Sequence, residues 1–315
     1  MYARELDEAF KKAGHNVSVA VFSSYAWLPL GVRHIVFFFK LLRVSRGAHF
    51  VLALDTWSVG MPALCVAKIT HTPLVVRIGG DFLWESYVGR TGEQIVLTEF
   101  YEKPRKLSLK ESLIQSGTRY LVRNAVPLFT TRFQRDLWHR AYGAREDSPI
   151  VENFFPGSIG TYLPSRGPVF VSAGRNIALK NTLLLQRVMS RLANDHPGLE
   201  LDTRFLQGEE HSRRLAQAYA LVIPSLSEVC SNSAIDAVYL GKPFICPKDT
   251  GTSERLTECG LFVDTRSEGA LTQAIESLLD PQVYEKLASA ARSFSFTHSW
   301  DEMANEITTA LSRAQ

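Results

Sequence analysis

Short β-branched runs alternate with longer helical windows along almost the whole chain, and this alternation constrains the fold more than any other feature. It predicts an α/β class with parallel sheets, in which helices connect neighbouring strands. The chain has 315 residues, more than a single core usually holds, which favours two domains. The strands predicted in the first half are 16–22, 49–54, 73–78, 126–130 and 148–152, and those in the second half are 169–173, 199–203, 220–224, 243–246 and 261–263.

A segment rich in proline and glycine separates the two blocks of this alternation. Residues 153–168 contain three prolines and three glycines and show no regular period, which is typical of a connection between domains. We therefore predict an amino-terminal domain over residues 1–157 and a second α/β domain that begins at residue 158. Open α/β sheets bind ligands at the carboxyl ends of their strands, so we expect the site in a cleft that both sheets face.

Composition narrows the class of protein. Apolar residues make up 45% of the chain and charged residues 21%, which suits packed cores and gives no support for disorder. No apolar run approaches the ~18 uncharged residues of a membrane span, because the longest candidate, at 35–39, is followed by Lys40. The first residues lack the apolar core of a signal peptide, so we expect a cytoplasmic protein. The four cysteines form no CxxC pair and are expected to be reduced and mostly buried.

The catalytic motifs of several enzyme classes do not occur in the sequence. It has no GxGxxG after a strand, no GxxxxGK[ST], no HExxH and no GxSxG, which argues against dehydrogenases, P-loop kinases, zinc proteases and serine hydrolases. It also has no Asp-x-Asp pair that would suggest a divalent cation. We therefore expect neither a metal nor a cofactor.

Residues 225–243 (SLSEVCSNSAIDAVYLGKP) predict a loop and a short helix after an apolar strand. Ser231 and Asn232 are favourable N-cap residues. A helix N-terminus at the carboxyl end of a strand presents N–H groups and about half a positive charge, which favours phosphate binding. Glu228 precedes this terminus and Asp236 lies on the helix, so one carboxylate can face a sugar and the other a ribose. Alternatively, Glu228 only complements the helix dipole and Asp236 is a solvated helix residue.

A second cluster, residues 172–181 (SAGRNIALKN), also follows a predicted strand and leads into a helix. Arg175 and Lys180 flank a loop that could fold over a diphosphate, because guanidinium gives bidentate contacts and ammonium gives a point charge. The alternative is that both are ordinary surface residues at the start of a helix.

Together the two clusters resemble the donor domain of family 4 glycosyltransferases, which are retaining enzymes with the GT-B fold. The shared pattern is a strand followed by Gly-Arg, four residues and Lys, then Pro-Ser-x-x-Glu, seven residues, an acid, and Gly-Lys-Pro. Further similar segments, FTTRFQRDLW, VENFFP and TGTSERLTECGLFVD, extend the resemblance to almost the whole chain. It implies two Rossmann-like parallel-sheet domains that face a central cleft, a donor domain over 158–294, and a terminal helix, 295–315, that crosses back to the first domain.

The resemblance implies a role for each matching residue of the donor domain. Arg175 and Lys180 would hold the diphosphate of a nucleotide sugar, and Glu228 would act as the catalytic residue that contacts the transferred hexose. Asp236 would bind the ribose hydroxyls. Amides near the hexose or phosphate would come from Cys230, Ser231 and Asn232.

Acceptor-side residues are expected after two strands of the first domain. Many relatives carry a His at the end of one strand, where this chain has Gly79. Gly80 and Asp81 follow it, and Asp55 comes after another predicted strand. We predict acceptor contacts for these four residues; alternatively, Asp81 caps a helix and Asp55 closes a turn.

The beginning of the chain departs from the family pattern. Family members begin with a strand and a glycine-rich loop before the helix that opens this sequence, YARELDEAFKKAG. The resemblance implies either a misassigned start or a truncated chain, with an unfilled apolar slot in the first sheet.

The resemblance also implies an activity. A nucleotide-diphosphate sugar would be the co-substrate, and a metal-independent transferase would move its hexose to a glycan or lipid-linked acceptor with retention of configuration, in polysaccharide biosynthesis. No nucleic-acid partner is expected. Two alternatives stay open, a nucleotide-sugar epimerase of GT-B type and a non-catalytic nucleotide-sugar-binding protein.

The basic and aromatic residues 32–46 allow a peripheral contact with the inner membrane surface. Up to residue 160 the chain has 20 Lys and Arg against 14 Asp and Glu, and after it 15 against 18. A basic first half would favour an anionic acceptor or an anionic membrane. For the charge difference the alternative is ordinary surface variation. For residues 32–46 it is a helix that packs its Phe side on the first sheet.

Overall fold

The computed structural model describes residues 2–157, 163–165, 167–172, 174, 177–204, 206 and 208–314. The chain divides into two compact units. Unit 1 comprises Met1–Leu83, Lys106–Phe154 and His298–Gln315, and unit 2 comprises Trp84–Arg105 and Phe155–Thr297.

Helices and strands alternate through both units, as the sequence pattern predicts. Short 3-10 helices lie at Phe22–Tyr25, Ala178–Lys180 and Thr257–Cys259. In chain order the other elements are α1 (Tyr2–Lys12), α2 (Leu30–Val44), β1 (Val51–Ala53), α3 (Gly60–Thr70), β2 (Leu74–Arg77), α4 (Phe82–Thr91), α5 (Leu97–Glu102), α6 (Leu109–Asn124), β3 (Val126–Leu128), α7 (Arg132–Tyr142), β4 (Val169–Val171), α8 (Thr182–Asp195), β5 (Glu200–Asp202), α9 (Gly208–Gln217), β6 (Ala220–Val222), α10 (Asn232–Tyr239), β7 (Phe244–Pro247), α11 (Ser253–Leu256), β8 (Gly260–Val263), α12 (Glu268–Leu279), α13 (Pro281–Arg292) and α14 (Trp300–Ala314).

Unit 1 is built on a parallel sheet with the strand order β1-β2-β3. Its central strand β2 is buried along its whole length, which is typical of a parallel strand covered on both faces. Helices α1 and α14 pack together, and their apolar side chains, including Phe10 and Ile307, meet Val75 of β2 in one core. The Tyr2 and Trp300 rings lie 5.1 Å apart in an edge-on contact between these two helices.

Unit 2 is built on a parallel sheet with the order β5-β4-β6-β7-β8. Apolar clusters fill both of its faces, one around Phe244 and Ile235 and the other around Phe170 and Ile275. The Phe244 ring packs directly over Gly260, where a Cβ would lie 2.5 Å from the ring. The two all-parallel sheets confirm the predicted α/β class.

The division into units differs from the predicted domains in one segment. Residues Trp84–Arg105, which the predicted boundaries place in the amino-terminal domain, belong to unit 2. The reason is a set of polar contacts that local patterning does not reveal, such as the bond from the Leu97 N–H to Ser227 Oγ at 2.8 Å. The observed boundary after Phe154 lies close to the predicted boundary after residue 157.

Two predicted strands of the first half do not form. Residues 15–21 have no regular structure, and no described strand pairs with them; Val19 and Val21 are half exposed. The predicted strand 148–152 is reduced to a single parallel bridge between Phe129 and Ile150. A strand needs a partner for its N–H and C=O groups, and Pro149 has no N–H to offer a neighbour.

No helix in the described ranges combines the length and the apolar character that crossing a bilayer requires. The cysteines are free thiols but are not mostly buried as predicted, since Cys246 and Cys259 are buried, Cys230 is partly buried and Cys65 is exposed. Cys65 lies on the solvent side of α3. Its neighbours in the sequence are apolar, so the local pattern does not distinguish it from the buried residues of the helix.

Candidate functional site

The carboxyl ends of β4, β6 and β7 bring three loops of unit 2 together. The Leu226 N–H, in the loop after β6, donates to the Leu179 carbonyl in the segment after β4 at 2.9 Å. The Glu228 N–H, in the same loop, donates to the Asp249 carbonyl in the segment after β7 at 3.2 Å. The loop after β6 is therefore held between its two neighbours at the sheet edge where open α/β proteins bind ligands.

An ion pair between Lys180 and Glu228 lies at this edge. Lys180 Nζ is 2.6 Å from Glu228 Oε1, and the two side chains are 31% and 16% exposed. The stem of Lys180 passes close to the backbone at Gly174, where a Cβ would lie 3.5 Å from Lys180 Cγ. The resemblance predicts both residues at one site, and the structure brings them together. An ammonium beside a carboxylate can bind a phosphate with one group and sugar hydroxyls with the other.

The backbone at Glu228 is fixed on both sides. Besides its N–H bond to Asp249, its carbonyl accepts from the Gly251 N–H at 3.3 Å, and it forms a parallel bridge with Thr250. A residue held through both main-chain groups has little freedom to swing. The direction of the Glu228 carboxylate therefore depends on the loop after β7 as well as on its own loop.

Helix α10 begins where the sequence predicts. Ser231 is its N-cap, and its hydroxyl accepts from the Ala234 N–H at 3.3 Å. The Ser231 N–H itself donates to Thr252 Oγ1 at 2.9 Å, so in this structure that predicted donor-binding amide is engaged within the protein. Cys230 is partly buried and Asn232 is exposed at the same junction.

Asp236 lies on α10 with its side chain reaching solvent. Crowding by the surrounding protein nevertheless removes water from the carboxyl group, and this desolvation raises its pKa to about 6. A carboxyl group with such a pKa gains or loses its charge near neutral pH. Hydroxyl donors from a ligand would favour the charged form.

Residues Trp84–Arg105 contribute to the site in a way that the sequence does not predict. The Thr98 hydroxyl and N–H both donate to the buried Asp249 carboxylate, which also accepts from the Ser227 hydroxyl. Because the Leu97 N–H donates to Ser227, the first N–H groups of α5 are capped by side chains from the two loops that hold Glu228. No local signal could have revealed this network, since Thr98 and Asp249 are 151 positions apart.

Arg266 makes a second set of contacts with the Trp84–Arg105 segment. Its guanidinium makes two bonds to the Glu99 carboxylate, at 2.7 and 3.0 Å, and two to Asp264, both at 2.9 Å. Hydrogen bonds from Arg266 hold the pKa of Asp264 well below its usual range. Bidentate pairs of this kind fix geometry as well as charge.

The predicted acceptor-side residues of unit 1 have structural partners. Asp55 Oδ1 accepts from the Val59 N–H at 2.9 Å, which closes the turn before α3. Asp81 is buried, and the Tyr142 hydroxyl donates to both of its carboxylate oxygens, at 3.0 and 3.1 Å. Gly79 and Gly80 are exposed after β2, with the Gly79 carbonyl accepting from the Gln134 side chain. The alternative interpretation of Asp55 as a turn residue agrees with its observed bond.

Arg175, the predicted partner of Lys180 at the diphosphate, lies outside the described residues. Within the described ranges, no group of three or more His, Cys, Asp or Glu side chains could hold a metal ion.

Comparison with known proteins adds a family match to this geometry. Residues 168–281, which include Lys180, Glu228 and Asp236, match the family model described as glycosyl transferases group 1. No curated protein matches the chain.

Solved structures share the fold over most of the chain. Sucrose-phosphate synthase from Thermosynechococcus elongatus is 16% identical, with a TM-score of 0.71 over 99% of this chain and 92% of that one. HepE from Anabaena, in complex with UDP-glucose, is 14% identical, with a TM-score of 0.66 over 91% and 84%. A glycosyltransferase from Rickettsia africae is 12% identical, with a TM-score of 0.60 over 98% and 94%.

At these identities the likeness to solved structures establishes the fold, and the predicted GT-B class is confirmed. The family match adds similarity to a glycosyltransferase domain over residues 168–281. Together, the domain match and the shared fold support a glycosyltransferase of the GT-B type.

Proposed function

We propose that this protein transfers a hexose from a nucleoside-diphosphate sugar to a glycan or lipid-linked acceptor, with retention of configuration, as a family 4 glycosyltransferase does. The observation that carries the proposal is the 2.6 Å pair of Lys180 and Glu228 at the carboxyl edge of the sheet, inside the glycosyltransferase match. Both side chains keep access to solvent, so a ligand can reach them.

In the proposed complex the two members of the pair exchange partners. Lys180 moves its ammonium from Glu228 to the diphosphate, where it stabilises the negative charge that builds as the anomeric carbon–oxygen bond breaks. The N-terminus of α10 adds its partial positive charge at the same end of the sheet. Glu228 is then released to accept hydrogen bonds from the hexose hydroxyls, and Asp236 accepts from the ribose. The acceptor oxygen bonds to the anomeric carbon, and its proton leaves with the nucleoside diphosphate.

Uridine nucleotides are the first donors to test. The solved structures with the same fold include HepE with UDP and with UDP-glucose, and a pneumococcal O-GlcNAc transferase with UDP and GlcNAc. Two donors, UDP-glucose and UDP-GlcNAc, therefore cover the sugars in those complexes. A requirement for a metal is tested in the same assay by adding a chelator; we expect no loss of activity.

The test separates the roles of the pair. Lys180→Ala should weaken UDP binding by about 10- to 100-fold, because it removes a charge-assisted contact to phosphate. Glu228→Gln should keep UDP binding within about threefold and lose transfer to the acceptor by about a hundredfold or more. The measurements are calorimetric UDP binding and release of UDP from the sugar donor with a mixture of glycan and lipid-linked acceptors.

The matched control is a second basic–acidic pair of unit 2. Arg191, on α8, pairs with Glu268 near the start of α12, and Arg191→Ala should change neither measurement. Normal UDP binding and turnover in both Lys180→Ala and Glu228→Gln would contradict the proposal. Conversion of the donor sugar into its epimer in the absence of acceptor would identify an epimerase. Tight UDP binding without any turnover would identify a binding protein.

A further inference from the structure

Exposed large apolar side chains concentrate in one short stretch of unit 1. Thirteen such side chains are exposed among the described residues, and six of them lie between residues 19 and 39. Isolated exposed apolar residues are ordinary, but a cluster of them marks a surface that meets another apolar phase. The six are Val19 (51% exposed), Val21 (50%), Trp27 (78%), Val32 (45%), Ile35 (59%) and Phe39 (62%).

Helix α2 is apolar on both its inner and its outer face. On the inner face Phe37 is fully buried, and its ring packs edge-on against Phe22 with centroids 5.2 Å apart. On the outer face Val32, Ile35 and Phe39 follow at spacings of three and four residues, which aligns them in one stripe. An apolar stripe on a helix normally faces a covered environment. The outer stripe of α2 therefore favours contact with an apolar environment.

The charge around this stripe has a single sign. The sequence contains no acidic residue between Glu8 and Asp55, while the same stretch carries six Lys and Arg. Lys40 and Arg43 are exposed at the carboxyl end of the apolar stripe, and Arg46, two residues beyond the end of the helix, is exposed as well. The stripe and these three basic side chains, together with Trp27, are here called the α2 surface.

We propose that the α2 surface docks onto an anionic lipid bilayer. Its apolar side chains would enter the boundary between headgroups and acyl chains, with the Trp27 indole at headgroup level, and its basic side chains would bind anionic headgroups. Helix α2 has 15 residues, fewer than the ~20 that span a bilayer, so it lies along the surface. The proposal stands apart from the sugar-transfer activity, because no residue of the α2 surface belongs to the donor site.

A second copy of the chain fits this surface poorly. A two-fold interface would place the same patch against itself, so the basic side chains of each copy would face a surface with no acidic partner from residues 9–54. An anionic bilayer satisfies the apolar stripe and the basic side chains at once.

Flotation with vesicles tests the proposal on the full chain. We expect the protein to float with vesicles of phosphatidylcholine and phosphatidylglycerol and to remain unbound with phosphatidylcholine alone, and to be released by high salt. Lys40→Glu with Arg43→Glu should weaken binding about 25-fold or more, at about fivefold for each lost basic contact. Ile35→Asn with Phe39→Ser should weaken it at least about tenfold, because both apolar contacts are lost.

Matched controls separate a specific surface from general charge and hydrophobicity. Leu109→Ser with Leu113→Asn removes two exposed apolar side chains of α6, and Arg213→Glu with Lys286→Glu reverses two exposed basic side chains of unit 2. Both controls should bind within about twofold of the unaltered protein, and thermal melts and UDP binding should show that every variant is folded.

Three outcomes would overturn the proposal. The first is an unaltered protein that does not float, or that floats equally with neutral vesicles. The second is an equal loss of binding in the controls. The third is a concentration-dependent dimer that Ile35→Asn with Phe39→Ser abolishes while no vesicle binding is seen, which would assign the surface to self-association.

Discussion

In unit 1 the polar side chains near the carboxyl end of β2 are buried and hydrogen-bonded within the protein, whereas in unit 2 the charged side chains after β4 and β6 keep access to solvent. Asp81 has 1% exposure, and Gln134 has none; the Gln134 side chain links the Ile78 and Gly79 carbonyls to the Thr130 N–H. Lys180 and Glu228 pair instead at a partly open edge. An acid after a parallel strand is therefore a candidate ligand-binding group only when its oxygens keep access to solvent.

The largest expected effect comes from exchanging the charges of the open pair. Lys180→Glu with Glu228→Lys preserves an ion pair but puts a carboxylate where the proposed diphosphate binds. We expect transfer to fall about a thousandfold, because charge stabilisation of the leaving group is lost and reversed. The melting temperature should change by no more than ~2 °C, since a partly exposed pair contributes little to the free energy of unfolding. Turnover and thermal melts measure the two effects.

The exchange of Arg191→Glu with Glu268→Arg is the matched control, and it should leave turnover unchanged. Activity of the exchanged Lys180–Glu228 variant within tenfold of the unaltered protein would show that the pair is structural. The difference in solvent access between the polar side chains of the two units would then not indicate which unit binds the sugar donor.

The buried network of unit 1 should show the opposite pattern, which is a loss of stability with little change in turnover. Tyr142→Phe removes the hydroxyl that donates to both oxygens of Asp81 and keeps the shape of the ring. A buried carboxylate that loses a donor costs about 2 kcal/mol of the free energy of unfolding. Turnover per folded molecule should stay within about twofold. Urea unfolding and initial rates measure the two quantities.

Tyr87→Phe is the control for this change, because the Tyr87 hydroxyl also donates to a carboxylate, that of Glu93 at 2.7 Å. Glu93 is exposed and can turn to water, so its loss of a donor should cost well under 1 kcal/mol. A hundredfold fall in turnover for Tyr142→Phe with unchanged stability would instead place Asp81 in the chemistry.

The sequence predicts a strand well when the strand's own side chains are enough to require burial on both faces. β7 is a continuous apolar run and β2 is apolar up to Arg77, and both are buried along their whole length. Helix α10 follows from its cap, Ser231, and from Gly241, which has the positive φ of 67° that glycine adopts readily after a helix. Residues 16–22 carry an equally strong strand pattern, but strand formation also requires a neighbour, which a local pattern does not report.

The residues of the site can be divided in the same way, into those that local sequence predicts and those that it does not. Lys180 and Glu228 were predictable because each lies in a loop directly after an apolar strand, and parallel strands bring such loops to one edge. The Asp249 carboxylate and its donors could not be predicted, because their meeting depends on where residues Trp84–Arg105 pack. The sequence pattern around Asp81 resembled a binding loop, since no local feature distinguishes a buried acid from an exposed one.

A smaller effect is expected from the contacts that hold the Glu228 loop. Asp249→Asn replaces a carboxylate that accepts from Thr98 and Ser227 with an amide that can accept at only one atom. We expect kcat to fall about tenfold with UDP binding nearly unchanged, because the position of Glu228 loosens while Lys180 is untouched. Steady-state kinetics and calorimetry give the split between turnover and binding.

Asp280→Asn provides the same chemical change at an exposed helix cap, where the side chain accepts from the Gln282 N–H at 2.8 Å. Asn caps helices as well as Asp, so this variant should match the unaltered protein. An unchanged kcat for Asp249→Asn would show that the Trp84–Arg105 segment contributes stability and does not position Glu228.

The smallest effect tests the charge on Asp236. Its pKa of about 6 in the folded protein lies above that of an unfolded aspartate, so its stabilising contribution is full below about pH 4 and is lost as the pH rises through 6. Asp236→Asn lacks this titration. The melting temperature of the variant relative to the unaltered protein should therefore be higher at pH 7.5 than at pH 4.5, by only about 2 °C because solvent reaches the carboxylate.

Saturating UDP should abolish that pH-dependent difference, whereas pyrophosphate should leave it in place. Ribose hydroxyls that donate to Asp236 favour its charged form and lower its pKa, while pyrophosphate offers no hydroxyl to that carboxylate. Melting curves at both pH values, with and without each ligand, measure the effect. A difference that persists in UDP would place the ribose elsewhere, and the partly exposed carboxylate of α10 would then resemble the structural acids of unit 1 more than Glu228.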